Sequence, residues 1–155
     1  MKKRSRMIYF IFIAVLMLSE MITANIYSLV WRLEETAELI GVAVEVERAR
    51  LMLLIVLDFI SGVGAILAVR AYRNADAAHL GGVGVIMTSV GILTYGLYQL
   101  WFATYLLQWL PTFHQGVGIF YALLGVLTWF VGCDLRKGQS PPNQSVQPDQ
   151  PPAGR

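Results

Sequence analysis

Apolar residues fall into four long blocks along the chain, separated by short polar or charged stretches. Each block holds about 18 to 25 residues, enough for a helix to cross roughly 30 Å of hydrocarbon. Backbone polar groups find no water inside a bilayer, so each block is predicted to be helical. The pattern predicts four transmembrane helices, at residues 7–31, 51–69, 83–107 and 116–133.

The composition agrees with a membrane location. Of the 155 residues, 56% are hydrophobic and only 14% are charged, whereas roughly 25% of an ordinary soluble domain is charged. The predicted fold class is all-α, an integral membrane four-helix bundle whose short connections make sequential helices antiparallel neighbours. We expect residues 1–137 to form this bundle and residues 138–155, rich in proline and glutamine, to form a disordered tail.

The lysines and arginines predict how the bundle is oriented. With a cytoplasmic N-terminus, nine of the twelve basic residues lie on that side, which favours both termini inside. The short loops favour a bacterial inner membrane. A signal peptide with an apolar core at residues 7–18 is the alternative for the N-terminus. The bulky Ile22, two residues before a cut after Ala24, and the apolar run beyond it favour an uncleaved span.

The stretch 32–50 between the first two blocks is acidic and has few helix breakers. It is predicted to form a short helix on the surface or to extend the second span. The residue spacing of a calcium loop is absent, so its carboxylates are interpreted as a solvated acidic loop rather than a cation site. Those carboxylates belong to Glu34, Glu35, Glu38, Glu45 and Glu47.

Two further carboxylates, Glu20 and Asp58, lie inside the predicted spans, where a charge costs at least about 2.5 kcal/mol. The helical rise puts both within roughly 5 Å of the bilayer midplane, on its outer side. Each begins a stripe of small or polar residues at helical spacing, and both stripes are predicted to face the bundle interior. The stripes are Thr23, Ala24 and Tyr27 after Glu20, and Ser61, Gly62 and Ala65 after Asp58.

The third and fourth blocks carry stripes of their own. The third presents Gly84, Thr88, Gly91, Tyr95, Tyr98, Gln99 and Phe102 on one face. The fourth places glycines seven residues apart, which predicts a seam for close, left-handed packing. The predicted helix-packing residues are Gly62, Gly84, Gly91, Gly118, Gly125 and Gly132. The candidate ion or proton site, in the central and outer part of the bundle, is Glu20, Asp58, Tyr95, Tyr98, Gln99 and Tyr121.

The charge state of the two acids leaves several interpretations open. No basic residue lies within the four blocks, so the acids are expected to be protonated, to share a proton, to bind a cation or to pair with a basic group of another chain. If they are buried together, at least one should be protonated at neutral pH. A purely structural role, as protonated and hydrogen-bonded packing groups, stays open beside these.

The rest of the chain offers little chemistry. The single cysteine, Cys133, excludes a cysteine-rich metal or iron–sulfur site, and His79 and His114 lie at opposite membrane edges, too far apart to ligate one haem. We therefore predict no metal and no cofactor. The net charge of +2, with basic residues only at segment ends, predicts no nucleic-acid partner. Without any catalytic motif, an enzyme acting on a lipid or quinone is the least favoured class.

Two functions fit this pattern. The favoured one is a small accessory or assembly subunit of a larger membrane complex, which packs in the lipid bilayer against a membrane-protein partner or against its own copies. The alternative is an oligomeric proton- or cation-coupled transporter or channel subunit that uses Glu20 and Asp58.

Overall fold

The computed structural model describes residues 3–74, 77–105, 111–133 and 135. Within these ranges the chain is helical and contains no strand. The elements are α1 (Lys3–Glu20), a π-helix (Met21–Ile26), α2 (Tyr27–Trp31), α3 (Leu33–Ile40), α4 (Val44–Arg73), α5 (Ala78–Tyr105) and α6 (Pro111–Val131). The predicted tail at 138–155 lies outside the described residues.

Four helical stretches are long and apolar enough to cross a membrane, which confirms the predicted all-α membrane bundle. In chain order, the first to fourth spans are Lys3–Trp31, Val44–Arg73, His79–Tyr105 and Thr112–Val131. The helices extend past the predicted apolar spans, because a helix can continue past the end of its apolar run. Helix α4 begins at Val44, before the predicted span start at Leu51, and α6 begins at Pro111, before the predicted start at Gly116. A proline suits the first helical position, where a backbone N–H would lack an intrahelical partner anyway.

The connection between the first two spans contains a separate short helix, as predicted. Arg32 leaves the helical conformation (φ −135°), which separates α2 from α3. At the other end of α3, Gly41 adopts a left-handed conformation with φ 72°. The N–H groups of Gly41 and Val42 donate to the carbonyls of Glu38 and Ala37 at 3.1 and 3.0 Å. This is a Schellman cap, whose left-handed residue favours glycine.

The spans run alternately up and down, each packed against the next in sequence. Phe10, near the start of the first span, contacts Tyr72, near the end of the second, with 6.0 Å between their ring centroids. These neighbours are therefore antiparallel. A hydrogen bond of 2.8 Å between the hydroxyls of Tyr9 and Thr128 closes the bundle between the first and fourth spans.

The level of Glu20 and Asp58 divides the bundle into two halves along its length. The α3 half lies on the side of α3, and the terminal half lies on the side of Lys3. The α3 half consists of residues 20–31, 44–58, 95–105 and 111–121, and the terminal half of residues 3–19, 59–73, 78–94 and 122–131.

Glycines bring the helices of the terminal half into backbone contact. A Cβ atom on Gly84 would lie 2.6 Å from the carbonyl oxygen of Gly64 and 2.7 Å from the backbone nitrogen of Ala68, and one on Gly125 would lie 2.7 Å from the nitrogen of Leu93. Only glycine allows so close an approach. The other predicted packing glycines also face a neighbouring helix: Gly62 faces Leu18, Gly91 faces Ser61, Gly118 faces Leu100 and Gly132 faces Val85.

Candidate functional site

Both carboxylate oxygens of Glu20 accept hydrogen bonds from tyrosines of other spans. The Tyr95 hydroxyl donates to Oε1 at 2.6 Å, and the Tyr121 hydroxyl donates to Oε2. The two tyrosine rings are in contact, with 4.6 Å between centroids. Gln99 extends the network, since its Nε2 lies 3.5 Å from the Tyr95 hydroxyl. The first, third and fourth spans thus meet at one carboxylate.

Asp58 brings the second span to the same place. Its side chain is fully buried, and the Asn25 amide donates to Oδ2 at 2.7 Å. The other oxygen, Oδ1, has no hydrogen-bond partner among the described residues. Asp58 lies close enough to Glu20 for their charges to interact. The structure therefore brings the two acids together in unlike surroundings, with Glu20 half-buried under two donors and Asp58 enclosed with one.

The π-helix places Asn25 against Asp58. Its hydrogen bonds connect residues five apart, and the Tyr27 N–H donates to the carbonyl five residues earlier. The residue five after Glu20 consequently turns toward the bundle interior. Asn25 is buried, while Thr23, Ala24 and Tyr27 are exposed, so the predicted interior stripe after Glu20 is wrong. The prediction counted residues along an uninterrupted α-helix. The sequence feature that could have indicated Asn25 is its polar amide, which lies in an apolar block five residues after Glu20.

The stripe after Asp58 does face the interior. Ser61, Gly62 and Ala65 are all buried, and the Ser61 hydroxyl donates to the carbonyl of Leu57 at 2.7 Å. Helix α4 is a continuous α-helix over this stretch, so the helical count applied here was appropriate.

Tyr98 is the candidate residue that lies apart from the Glu20 network. It is half-buried, and its ring packs against those of Trp101 and Phe102, each at 6.0 Å between centroids. Its electrostatic neighbours are Arg50 and Glu47, farther toward α3. The other candidates on the third span, Tyr95 and Gln99, are buried at the acid pair.

Arg50 and Glu47 form a buried ion pair in the α3 half. The Nε and Nη2 atoms of Arg50 each lie 2.6 Å from a different Glu47 oxygen, and the guanidinium carbon lies 5.2 Å from the centroid of the Phe102 ring. Because α4 begins at Val44, Glu47 faces the bundle with its partner one turn later.

This pair corrects two predictions. Glu47 does not belong to a solvated acidic loop, since it is fully buried; Glu34, Glu35, Glu38 and Glu45 are exposed as predicted. The spans also contain basic side chains, because α4 extends past the apolar block. The charge of Arg50 is neutralised by Glu47, and Arg50 lies about 12 Å from Asp58 along the helix axis.

A cleft of about 530 Å³ leads to Glu20 between the first and fourth spans. Apolar and aromatic side chains from the first turns of α6 form its wall, and Glu20 is the one charged residue among the described residues that line it. Gly116 leaves the wall open, since no atom lies within 4 Å of the position that a Cβ would take there. The described residues that line the cleft are Glu20, Thr112, Phe113, Gly116, Val117, Phe120 and Tyr121.

A second ion pair, between Arg32 and Glu35, lies outside the spans and is exposed to solvent. The Arg32 Nε donates to Glu35 Oε2 at 2.7 Å. This hydrogen bond lowers the pKa of Glu35 and raises the pKa of Arg32. Exposed pairs of this kind contribute little to stability.

No family model, no curated protein and no solved structure matches this chain. Its function must therefore be inferred from the chemistry of the site.

Proposed function

We propose that this chain is a subunit of a proton-coupled membrane carrier in which Glu20 and Asp58 bind the coupling proton. The observation that carries the proposal is the fully buried Asp58, whose Oδ1 has no hydrogen-bond partner among the described residues and whose charge would interact with that of Glu20. If Asp58 were ionised, an uncompensated charged oxygen would lie inside the membrane, at a cost of several kcal/mol. A proton on Asp58 removes that cost.

One of the two acids is then protonated and the other is ionised. Glu20 accepts two tyrosine hydroxyls, and bonds of this kind favour the ionised form of a carboxylate. Asp58 therefore holds the proton and Glu20 the negative charge. Because both acids interact, a proton gained or lost belongs to the pair as a whole.

Access to the pair is from one side. Glu20 lines the cleft and Asp58 does not, so a proton reaches Glu20 first. In the orientation favoured by the basic residues, with both termini in the cytoplasm of a bacterial cell, the cleft faces outward. The terminal half is closed by backbone contacts at Gly84 and Gly125. Passage across the membrane therefore requires that half to open, or a path between copies in a homo-oligomer.

A proton suits the site better than a metal ion. The described residues contain no group of three or more His, Cys, Asp or Glu side chains placed to hold a metal. The hydroxyls near the acids, on Tyr95 and Tyr121, can both donate and accept hydrogen bonds, as proton transfer requires.

Proton uptake into proteoliposomes, followed with an interior pH dye under an imposed membrane potential, tests the proposal. The wild-type protein should carry protons, and Glu20→Gln and Asp58→Asn should abolish the flux while leaving the fold intact. Glu45→Gln, at an exposed glutamate near the start of α4, is the matched control and should carry protons normally. Wild-type flux no greater than that of empty liposomes, or undiminished flux in Glu20→Gln, contradicts the proposal.

An accessory or assembly role is the second candidate, and the spans themselves give it some support. In the first span only 22% of the most apolar stretch of residues is buried in the bundle, and in the fourth span the buried share is also 22%. Both spans thus have wide apolar faces on which partner helices could pack. Extraction in mild detergents should then yield a stable assembly with another membrane protein. A single monodisperse species in several mild detergents contradicts this role.

A further inference from the structure

We infer that the cleft at Glu20 binds a lipophilic organic cation. This inference rests on the proposed function and names the substrate class of the same site. Among the described residues that line the cleft, the carboxylate of Glu20 is the only charged group. Its two tyrosine partners supply hydrogen bonds but no positive charge. The negative charge therefore stays available to a cation, and in a site of low dielectric constant the attraction is far stronger than in water.

The tyrosine bonds leave room for this contact. Each carboxylate oxygen has two lone pairs, and each oxygen of Glu20 uses one of them for Tyr95 or Tyr121. The free lone pairs can face a bound cation. The two hydroxyls keep the carboxylate in position while it does so.

The cleft wall favours a cation that carries apolar groups. Phe113 and Phe120 expose 67% and 55% of their surface, and Val117 lies beside them in the lining. Aromatic faces attract cations and also contact apolar groups. A small hydrated inorganic cation gains nothing from such a wall, whereas an organic cation carrying aromatic or aliphatic groups contacts both the wall and the carboxylate.

The size and the opening of the cleft fit this class. Its volume of about 530 Å³ lies within the roughly 300–1,000 Å³ typical of sites for small organic molecules. The exposed phenylalanines lie in the fourth span, so a ligand dissolved in the bilayer can enter sideways between the first and fourth spans.

The cation and the proton should compete for Glu20. The titratable groups that face Glu20 are Asp58 from the second span, Tyr95 from the third and Tyr121 from the fourth. Farther toward α3, Arg50 and Glu47 neutralise each other, and His114 lies in their field. A cation at Glu20 stabilises the ionised form of Glu20, so acidification should weaken cation binding.

Calorimetric titration of the purified full chain with tetraphenylphosphonium tests the inference. Tetraphenylborate has the same shape and the opposite charge, and serves as the control probe. We expect saturable binding of the phosphonium alone, weakened about tenfold or more by Glu20→Gln and unchanged by Glu45→Gln. Equal binding of the borate, or equal affinity in Glu20→Gln, overturns the inference.

Gly116→Leu separates the inference from the proposed function. A Cβ at this position meets no atom within 4 Å, so the leucine side chain can occupy the cleft while Glu20 is kept. It should abolish phosphonium binding, while infrared titration still detects protonation of Glu20 and Gly116→Ala still binds the probe. Unchanged phosphonium affinity in Gly116→Leu overturns the cation site alone. Phosphonium binding that depends on Glu20, without any proton flux, supports the cation site and contradicts proton coupling.

Discussion

The terminal half and the α3 half of this bundle are built from the same four spans but differ in what holds them together. In the terminal half the helices approach backbone to backbone, as at Gly84 and Gly64. In the α3 half Gly96 and Gly118 also approach backbone to backbone, but buried acids join the spans as well: Glu20 accepts from Tyr95 and Tyr121, and Asp58 accepts from Asn25. The buried ion pair of Glu47 and Arg50 lies within α4 and packs against Phe102 of the third span. Both halves thus share close glycine packing, and the α3 half adds buried carboxylates whose hydrogen bonds connect the spans.

The largest expected effect is a loss of stability in the α3 half, and it would show that the terminal half is not the only one that stabilises the protein. Arg50→Met leaves Glu47 as an unpaired buried charge, so it should destabilise the protein by about 3–5 kcal/mol. Thermal unfolding in detergent measures the loss. Arg32→Met, which removes the same group from an exposed pair, should leave the unfolding midpoint unchanged.

The double variant Glu47→Leu with Arg50→Met sharpens this result. It removes both charges and should recover most of the stability that the single change loses. A double variant as unstable as Arg50→Met would show that the loss comes from packing against Phe102 rather than from the unpaired carboxylate.

Next in size is a methyl group added in the terminal half. Gly84→Ala forces a Cβ against the backbone of the second span, so it should cost about 2–3 kcal/mol. Gly116→Ala is the matched control, because its Cβ meets no atom within 4 Å and alanine favours a helix. Equal unfolding midpoints for the two variants would mean that the close glycine contacts do not hold this half together.

A smaller effect is expected when one donor to Glu20 is removed. Tyr121→Phe loses a hydrogen bond to a carboxylate, worth about 1.5 kcal/mol, and should increase the protonated fraction of Glu20. A carbodiimide that reacts with protonated carboxyls should then label Glu20 faster than in the wild type. Tyr9→Phe loses a hydroxyl bonded to Thr128 in the terminal half and should leave the rate unchanged. Equal rates in both variants would contradict the role of Tyr121.

The smallest effect concerns the exposed pair Arg32 and Glu35. The lowered pKa of Glu35 means that the pair contributes above the ordinary pKa of a glutamate and is lost as pH falls through the lowered value. Because both side chains are exposed to solvent, this loss should be too small to detect. The midpoints of the wild type and Glu35→Gln should therefore coincide from neutral pH into the acid range. A gap that closes on acidification would contradict this.

Much of the terminal half could be predicted from the sequence. Gly84, Gly91 and Gly125 lie on regular α-helices, so counting along the helix identified the faces that are in contact. The seven-residue spacing of Gly125 continues to Gly118 in the α3 half and to Gly132 just after α6. The same count placed Tyr95 and Gln99 in the interior. Regular periodicity suffices where the backbone is regular.

The α3 half was harder to predict for two physical reasons. The π-helix alters the count after Glu20, so Asn25 was missed and Tyr27 was wrongly placed inside. The ion pair was missed because a span predicted from apolar residues ends where charged residues begin. Glu47 and Arg50 neutralise each other, so α4 continues beyond the apolar run with both side chains buried. Local sequence does not reveal which charges will find a partner.

The central claim is that Asp58 holds a proton at neutral pH while Glu20 is ionised. Infrared spectroscopy of the protein in lipid nanodiscs measures this directly, through the carbonyl stretch of a protonated carboxylic acid. We expect such a band at neutral pH in the wild type and its loss in Asp58→Asn. On acidification the exposed acids also absorb, and the difference between the wild type and Glu20→Gln should reveal one further component that belongs to Glu20. A neutral-pH spectrum without a carboxylic acid band, or a band that survives in Asp58→Asn, would contradict the account.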